Sequence, residues 1–91
     1  MLWLLCRNKL EDYDRWRDIF NSHAEEHRAA GLKLKIVMRG HEDPNSVAFL
    51  FEVSDRDRAK AFLNDPKSEE AGERAGVISS EFEFLDSVPG Y

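Results

Sequence analysis

Cysteine and proline are scarce in this chain, and the single cysteine limits the classes of protein to which it can belong. The 91 residues contain three prolines and a single cysteine, Cys6. One thiol cannot form an internal disulfide, and small secreted domains usually carry several, so we expect a cytoplasmic protein. Metal frameworks built on paired Cys-x-x-Cys motifs are excluded by the same count. The five glycines are scattered, so no glycine-rich phosphate loop is present.

Positive charge and long apolar runs are missing as well. Thirteen Lys and Arg stand against eighteen Asp and Glu, which gives a net charge of −5. Nucleic acids and anionic membranes select basic surfaces, so we expect neither as a partner. The apolar run Leu2–Cys6 precedes basic residues, which is the reverse of a signal peptide. No segment approaches the ~20 apolar residues of a membrane span.

The remaining composition is that of a small globular protein. Hydrophobic residues make up 42% of the chain and charged residues 34%, which argues against disorder. We expect one domain over residues 1–91, with residues 86–91 as a short C-terminal tail, because a chain of this length rarely supports two cores.

Hydrophobic periodicity in the first half predicts a strand, a long helix and a second strand. Leu2–Arg7 is apolar on both faces, and Asn8–Glu11 is expected to turn. Apolar residues then recur every three or four positions, which predicts one helix over Tyr13–Ala30 with Asp12 as N-cap. Strict alternation follows in Leu32–Arg39, predicting a half-buried strand. Its expected core face comprises Leu32, Leu34, Ile36 and Met38, and its expected polar face comprises Lys33, Lys35, Val37 and Arg39.

The pattern in the second half predicts a strand, helical segments and a final strand. Ser46–Val53 is again apolar on both faces, and Asp55–Asn64 has a helical pattern. Asp65 and Pro66 are typical of a helix start, and Phe82 and Phe84 alternate with glutamates in a fourth strand.

The resulting order βαββαβ predicts an α+β, ferredoxin-like fold with a four-stranded antiparallel sheet. Right-handed crossovers place the first and third strands at the centre. Two helices cover only one face of such a sheet, so apolar residues including Leu50 are expected on the open face. An exposed apolar face of this kind usually marks an interface, and we therefore predict a homodimer packed sheet to sheet. Lysines of the second strand and glutamates of the fourth are candidates for ion pairs between subunits.

Several short motifs give the chain a resemblance to a known superfamily. These are Asp12-Tyr13-Asp14-x-Trp16 with its continuation to Phe20 and His23, Ala29-Ala30-Gly31, Asp43-Pro44-Asn45 and Ala75-Gly76-Val77. The chain resembles the dimeric α+β barrel proteins, and in particular small, cyclase-like bacterial members and relatives of the antibiotic biosynthesis monooxygenases. The resemblance implies a homodimer with a pocket between helices and sheet, and it implies cofactor-independent chemistry. It specifies the fold better than the reaction.

Two histidines one helical turn apart are the candidate catalytic residues. His23 and His27 lie on the predicted helix, and His27 falls within its apolar stripe. Imidazole suits general acid–base work near neutral pH. The alternative is that the end of the helix rises out of the core and both rings lie at its solvent-exposed edge. The segment also matches His-x-x-Glu-His, a zinc signature, but the chain offers no clear third ligand, so we expect no metal.

The candidate ligand-binding residues are aromatic and basic. Tyr13, Trp16 and Phe20 form an aromatic stripe that either packs as core or lines a pocket for a ring-containing ligand. Arg39 and His41 follow the second strand and can hold a carboxylate or enolate, or remain solvated. The sequence supports two hypotheses: a cofactor-independent cyclase, isomerase or monooxygenase acting on a small apolar or aromatic metabolite, and a non-catalytic ligand-binding or stress-associated dimer.

Overall fold

The computed structural model describes residues 1–91 and contains four strands and four helices. In chain order they are β1 (Leu2–Leu10), α1 (Tyr13–Ser22), α2 (Ala24–Ala29), β2 (Leu32–Arg39), β3 (Ser46–Val53), α3 (Arg56–Leu63), α4 (Pro66–Arg74) and β4 (Val77–Asp86).

The four strands form one antiparallel sheet in the order β2-β3-β1-β4. The ferredoxin-like α+β prediction is therefore confirmed, with the two doubly apolar strands at the centre. Leu4 faces Phe51 on one neighbour and Phe84 on the other. Because facing residues share a side of the sheet, this register gathers the even-numbered residues of β1 and the odd-numbered residues of β3 on one face.

The hydrophobic core lies on the face that the helices cover. Leu4, Cys6, Phe49 and Phe51 are buried there, and Trp16 of α1 packs onto them. Each buried aromatic side chain removes a large apolar area from water, which stabilises this layered packing.

The first strand extends further than expected, and the predicted turn at Asn8–Glu11 is wrong. β1 continues through Asn8 and Lys9 to Leu10. Asn8 faces Val47 on one side and Ser80 on the other. A central strand is paired along both edges, and these ladders outweigh the weak turn preference of Asn.

The single helix predicted over Tyr13–Ala30 is also wrong, because it is interrupted at His23. The Ser22 hydroxyl and the His23 ring both bond the Ile19 carbonyl oxygen, at 2.6 and 2.8 Å. The His23 N–H donates instead to the carbonyl of Phe20, three residues back. Side chains that compete for a helix carbonyl bend or end the helix, and here they divide it into α1 and α2.

The alternation predicted along β2 holds only as far as Leu34. The register with β3 slips between Leu34, which faces Phe51, and Ile36, which faces Leu50. Such a bulge turns every later side chain to the opposite face. Ile36 and Met38 thus lie on the open face, and Val37 and Arg39 lie on the helix side, contrary to the expected assignment.

The helix caps predicted at Asp12 and Asp65 are confirmed, because each carboxylate accepts a backbone N–H of the following helix. Asp55 caps α3 in the same way, so this helix begins at Arg56, one residue later than expected. Gly31, which follows α2, has a φ of 76°, and a side chain there would meet the Ser54 hydroxyl at 2.7 Å. A glycine is therefore required at this helix end.

The open face of the sheet carries an apolar strip across all four strands. Ile36 and Met38 are close to half exposed, and Leu50 faces Ile36. Leu5 and Trp3 of β1 and Leu85 of β4 continue the strip on the same face. No helix of the protein is long and apolar enough to cross a membrane.

Candidate functional site

The protein has a groove between the helices and the sheet. Its volume is about 1550 Å³. One wall is formed by α1 and α2, the other by α3 and α4, and the floor by β1 and β4. Concave, largely apolar spaces of this kind are where small molecules bind.

Aromatic rings form one side of the groove. Trp16 stacks on Phe20 with ring centroids 4.7 Å apart, and Phe20 meets the edge of Phe49 at 5.0 Å. Phe51 and Phe62 complete this wall, and all five side chains line the groove. The predicted aromatic stripe is thus both core and lining, because α1 presents Trp16 to the sheet and Phe20 partly to the open space.

His27 lies among these rings. Its centroid is 4.9 Å from Phe20, 5.3 Å from Phe51 and 5.6 Å from Phe62. Burial lowers the pKa of His27 to about 4, with the positive potential of His23 adding to the effect and Glu26 opposing it. The ring is therefore uncharged at neutral pH, and it makes no hydrogen bond within the protein.

His23 also lines the groove but is held by the helix break. Its Nδ1 lies 2.8 Å from the Ile19 carbonyl oxygen. A carbonyl only accepts, so Nδ1 carries the hydrogen and the neutral ring presents Nε2 as an acceptor. The two candidate catalytic histidines are therefore neighbours on one wall, with different hydrogen bonding.

Two further polar side chains reach the groove without a partner. The side chains of Trp16 and Asn8 make no hydrogen bond. Every fully buried side-chain nitrogen or oxygen in the protein has a hydrogen-bond partner. The Trp16 Nε1–H and the Asn8 amide are therefore accessible, and both residues line the groove. The sequence analysis does not identify Asn8 as a site residue, because the segment Asn8–Glu11 has the composition of a turn. The alternation of Leu4, Cys6, Asn8 and Leu10 is the signal that places Asn8 on the helix side of β1.

Cys6 lies beside Asn8 on the groove floor. Burial raises the pKa of the Cys6 thiol to about 12. A thiol that stays protonated at neutral pH is a poor nucleophile, so Cys6 acts here as a small apolar residue.

Three of the predicted ligand-binding residues lie outside the groove. The Arg39 guanidinium sits 4.0 Å above the Tyr13 ring, and Arg39 Nε donates to the Pro44 carbonyl at 2.6 Å. This places Arg39 on the opposite side of α1, in a cation–π contact that ties the hairpin to the helix. His41 is exposed in the same hairpin. The structure thus brings together His23, His27, Trp16 and Phe20, but not Tyr13, Arg39 and His41.

Metal-ligating side chains do not converge anywhere in the protein. No group of three His, Cys, Asp or Glu residues is placed to hold a metal ion. His23 and His27 therefore have no third protein ligand beside them, and the His-x-x-Glu-His segment forms no zinc site of the usual kind.

Comparison with solved structures places this geometry in a known fold. A putative antibiotic biosynthesis monooxygenase from Caulobacter crescentus superposes with a TM-score of 0.73 at 16% identity, covering 96% of this chain and 89% of that one. The chain shares the fold of the antibiotic biosynthesis monooxygenases. The resemblance inferred from the sequence motifs is confirmed at this level.

Other proteins of the same fold differ in what they are described to be. A variant of SnoaB, a cofactor-independent oxygenase from Streptomyces nogalater, has a TM-score of 0.71 at 17% identity over 98% of this chain and 97% of its own. An uncharacterised NIPSNAP domain protein from Burkholderia xenovorans has a TM-score of 0.68 at 16% identity, covering 98% of this chain and 96% of its own. Searches of protein-family models and of curated proteins found no match. These likenesses show the fold, and the site must supply the function.

Proposed function

We propose that the protein is a cofactor-independent enzyme that acts on a small, apolar, ring-containing metabolite bound in the groove. The observation that carries the proposal is the aromatic wall around His27, in a groove that the unpartnered Trp16 and Asn8 side chains also line. Rings supply contact area, and a few polar groups fix orientation, as in most small-molecule sites.

His27 is the proposed proton acceptor. The ring is neutral at pH 7, so one nitrogen lone pair is free to take a proton from an activated carbon or hydroxyl of the ligand. The Trp16 N–H and the Asn8 amide would hold an oxygen of the same ligand in place. The resulting anion would cyclise or isomerise and take the proton back from His27, or it would react with dissolved dioxygen, with one oxygen atom entering the ligand and the other leaving as water. SnoaB, which has this fold, is described as a cofactor-independent oxygenase.

The working unit that we propose is a homodimer packed through the open sheet faces. The bulge in β2 moves Ile36 and Met38 beside Leu50, which broadens the apolar strip on that face. Lysines at the β2 edge and glutamates at the β4 edge carry opposite charges, so they can form ion pairs where the two edges meet in a two-fold dimer. Cys6 is a free, buried thiol, which fits a reducing cytoplasm.

The dimer is tested by light scattering on the purified protein. We expect a particle of twice the 10.5 kDa chain mass, and the Leu50→Glu variant should be monomeric. The matched control is Ala61→Glu, because Ala61 is exposed on α3, away from the open face. A monomeric wild-type protein at micromolar concentration would contradict this part of the proposal.

The enzymatic role is tested by incubating the protein with a panel of hydroxylated naphthalenes and anthrones in air-saturated buffer. Mass spectrometry would follow substrate loss. We expect turnover that is lost in His27→Phe, which keeps the ring packing, and retained in His41→Gln, which changes an exposed histidine outside the groove. Equal turnover by wild type and His27→Phe would exclude His27 as the base.

A non-catalytic ligand-binding dimer is the second candidate. The observation that favours it is the low pKa of His27, because a base with a pKa of about 4 has little driving force for proton abstraction. In that case ring-containing compounds bind wild type in the groove, and none of them is converted.

A further inference from the structure

The charges around the groove are strongly one-sided. Four glutamates on α2 and α4 line it, none of them in an ion pair: Glu26, Glu69, Glu70 and Glu73. Lys67 and Arg74 are the only lysine and arginine in the lining, and both lie on α4. The rim of the groove therefore has an excess of negative charge.

No cation is available near the aromatic wall to offset this excess. Arg39 is engaged with Tyr13, and Arg15 donates through Nε to the Arg74 carbonyl at 2.7 Å. The two histidines are the only other basic side chains in the lining, and His27 is surrounded by phenylalanine rings. A carboxylate or phosphate in the groove would find no guanidinium or ammonium partner at the rings.

A second observation, independent of charge, points to a ligand in the groove. Trp16 is 3% exposed, and its indole N–H has no hydrogen-bond partner in the protein although it is not sealed from the surface. A buried indole N–H normally finds an acceptor. An acceptor oxygen of a bound molecule would complete this bond, with the ring of that molecule against Phe20.

From this arrangement we propose that the groove takes a ring-bearing ligand that carries a protonated amine, and that it disfavours anionic ligands. The ring lies on the aromatic wall, whose faces attract cations as well as apolar groups, and the ammonium points to the glutamate rim. This inference rests on the proposed function, because it assigns a substrate class to the same groove.

Three matched probes separate charge from shape: naphthylmethylamine, naphthylmethanol and naphthoate, each with a ring methoxy group whose oxygen can accept from the Trp16 N–H. Their affinities would be measured by calorimetry at neutral pH, at low and at high ionic strength. We expect the amine to bind about tenfold more tightly than naphthoate at low salt, and the difference to shrink at high salt, because exposed charges are screened.

Charge variants locate the source of the preference. Glu26→Gln/Glu70→Gln removes two rim charges, whereas Glu42→Gln/Asp57→Asn removes two exposed charges outside the groove. The first pair should reduce the preference for the amine several-fold, and the second should leave it unchanged.

The outcomes distinguish this inference from the proposed function. Tight binding of the amine that depends on the rim glutamates supports both. Equal or tighter binding of naphthoate overturns the amine preference and leaves the groove as a ligand site. Failure of all three probes to bind overturns both proposals.

Discussion

Replacement of His27 by phenylalanine should remove one component of the acid sensitivity of folding. In the wild-type protein the ring is packed against Phe20, Phe51 and Phe62, and protonation places a charge in that apolar setting. A phenylalanine keeps the ring contacts and cannot be protonated. The variant therefore isolates the effect of the charge from the effect of the packing.

The magnitude follows from the two pKa values. The pKa of His27 falls from 6.5 to about 4 on folding, so between these pH values the unfolded chain is protonated at this residue and the folded protein is not. The contribution of the neutral ring is complete above pH 6.5 and is lost as the pH falls to about 4. A fully enclosed ring would account for about 3 kcal/mol. We expect about 1–2 kcal/mol here, because the ring is partly exposed to solvent.

Urea unfolding at pH 7, 6, 5 and 4 measures this effect directly. The free energy of unfolding of wild type should fall over this range by about 1–2 kcal/mol more than that of His27→Phe. His41→Gln should follow wild type, because His41 is exposed. The effects of carboxylates such as Asp43 are common to all three proteins and cancel. An identical pH dependence in wild type and His27→Phe would refute the account of His27.

Two further substitutions test the packing and the polar groups of the groove. Trp16→Ala should cost about 3–5 kcal/mol in urea unfolding, because it removes a buried ring stacked on Phe20; a cost below about 1 kcal/mol would mean that Trp16 is not core. Asn8→Val should leave the free energy of unfolding unchanged or higher, because the amide has no partner to lose, and should weaken naphthylmethanol binding in calorimetry. A loss of stability with unaltered binding would make Asn8 a structural residue.

The fold could be predicted because each element has a local pattern. Leu2–Arg7 and Ser46–Val53 are apolar on both faces, which identifies the central strands before any pairing is known. Asp12 and Asp65 precede helical periods and cap them as predicted. Such signals lie within a few residues of one another, so they can be recognised without knowledge of the tertiary contacts.

The wrong predictions concern residues whose structure depends on contacts with distant parts of the chain. Asn8 belongs to the sheet because β3 and β4 flank it, and these strands lie far along the chain. The bulge near Lys35 depends on the register with β3, and one extra residue reverses the faces of Val37 and Arg39. As a result Arg39 packs on Tyr13 rather than at the groove. The helix break has a local cause, in the Ser22 and His23 side chains, but helical periodicity runs through it unaltered.

The central claim is that the aromatic groove binds a ring-containing molecule, and the two tryptophan indoles report on it separately. Trp16 lines the groove, whereas Trp3 lies on the open face of the sheet. Titration of nitrogen-15-labelled protein with naphthylmethanol would be followed through the two indole N–H resonances. We predict a saturable shift of the Trp16 resonance and none of the Trp3 resonance. An unmoved Trp16 resonance, or a shift of Trp3 alone, would contradict the claim.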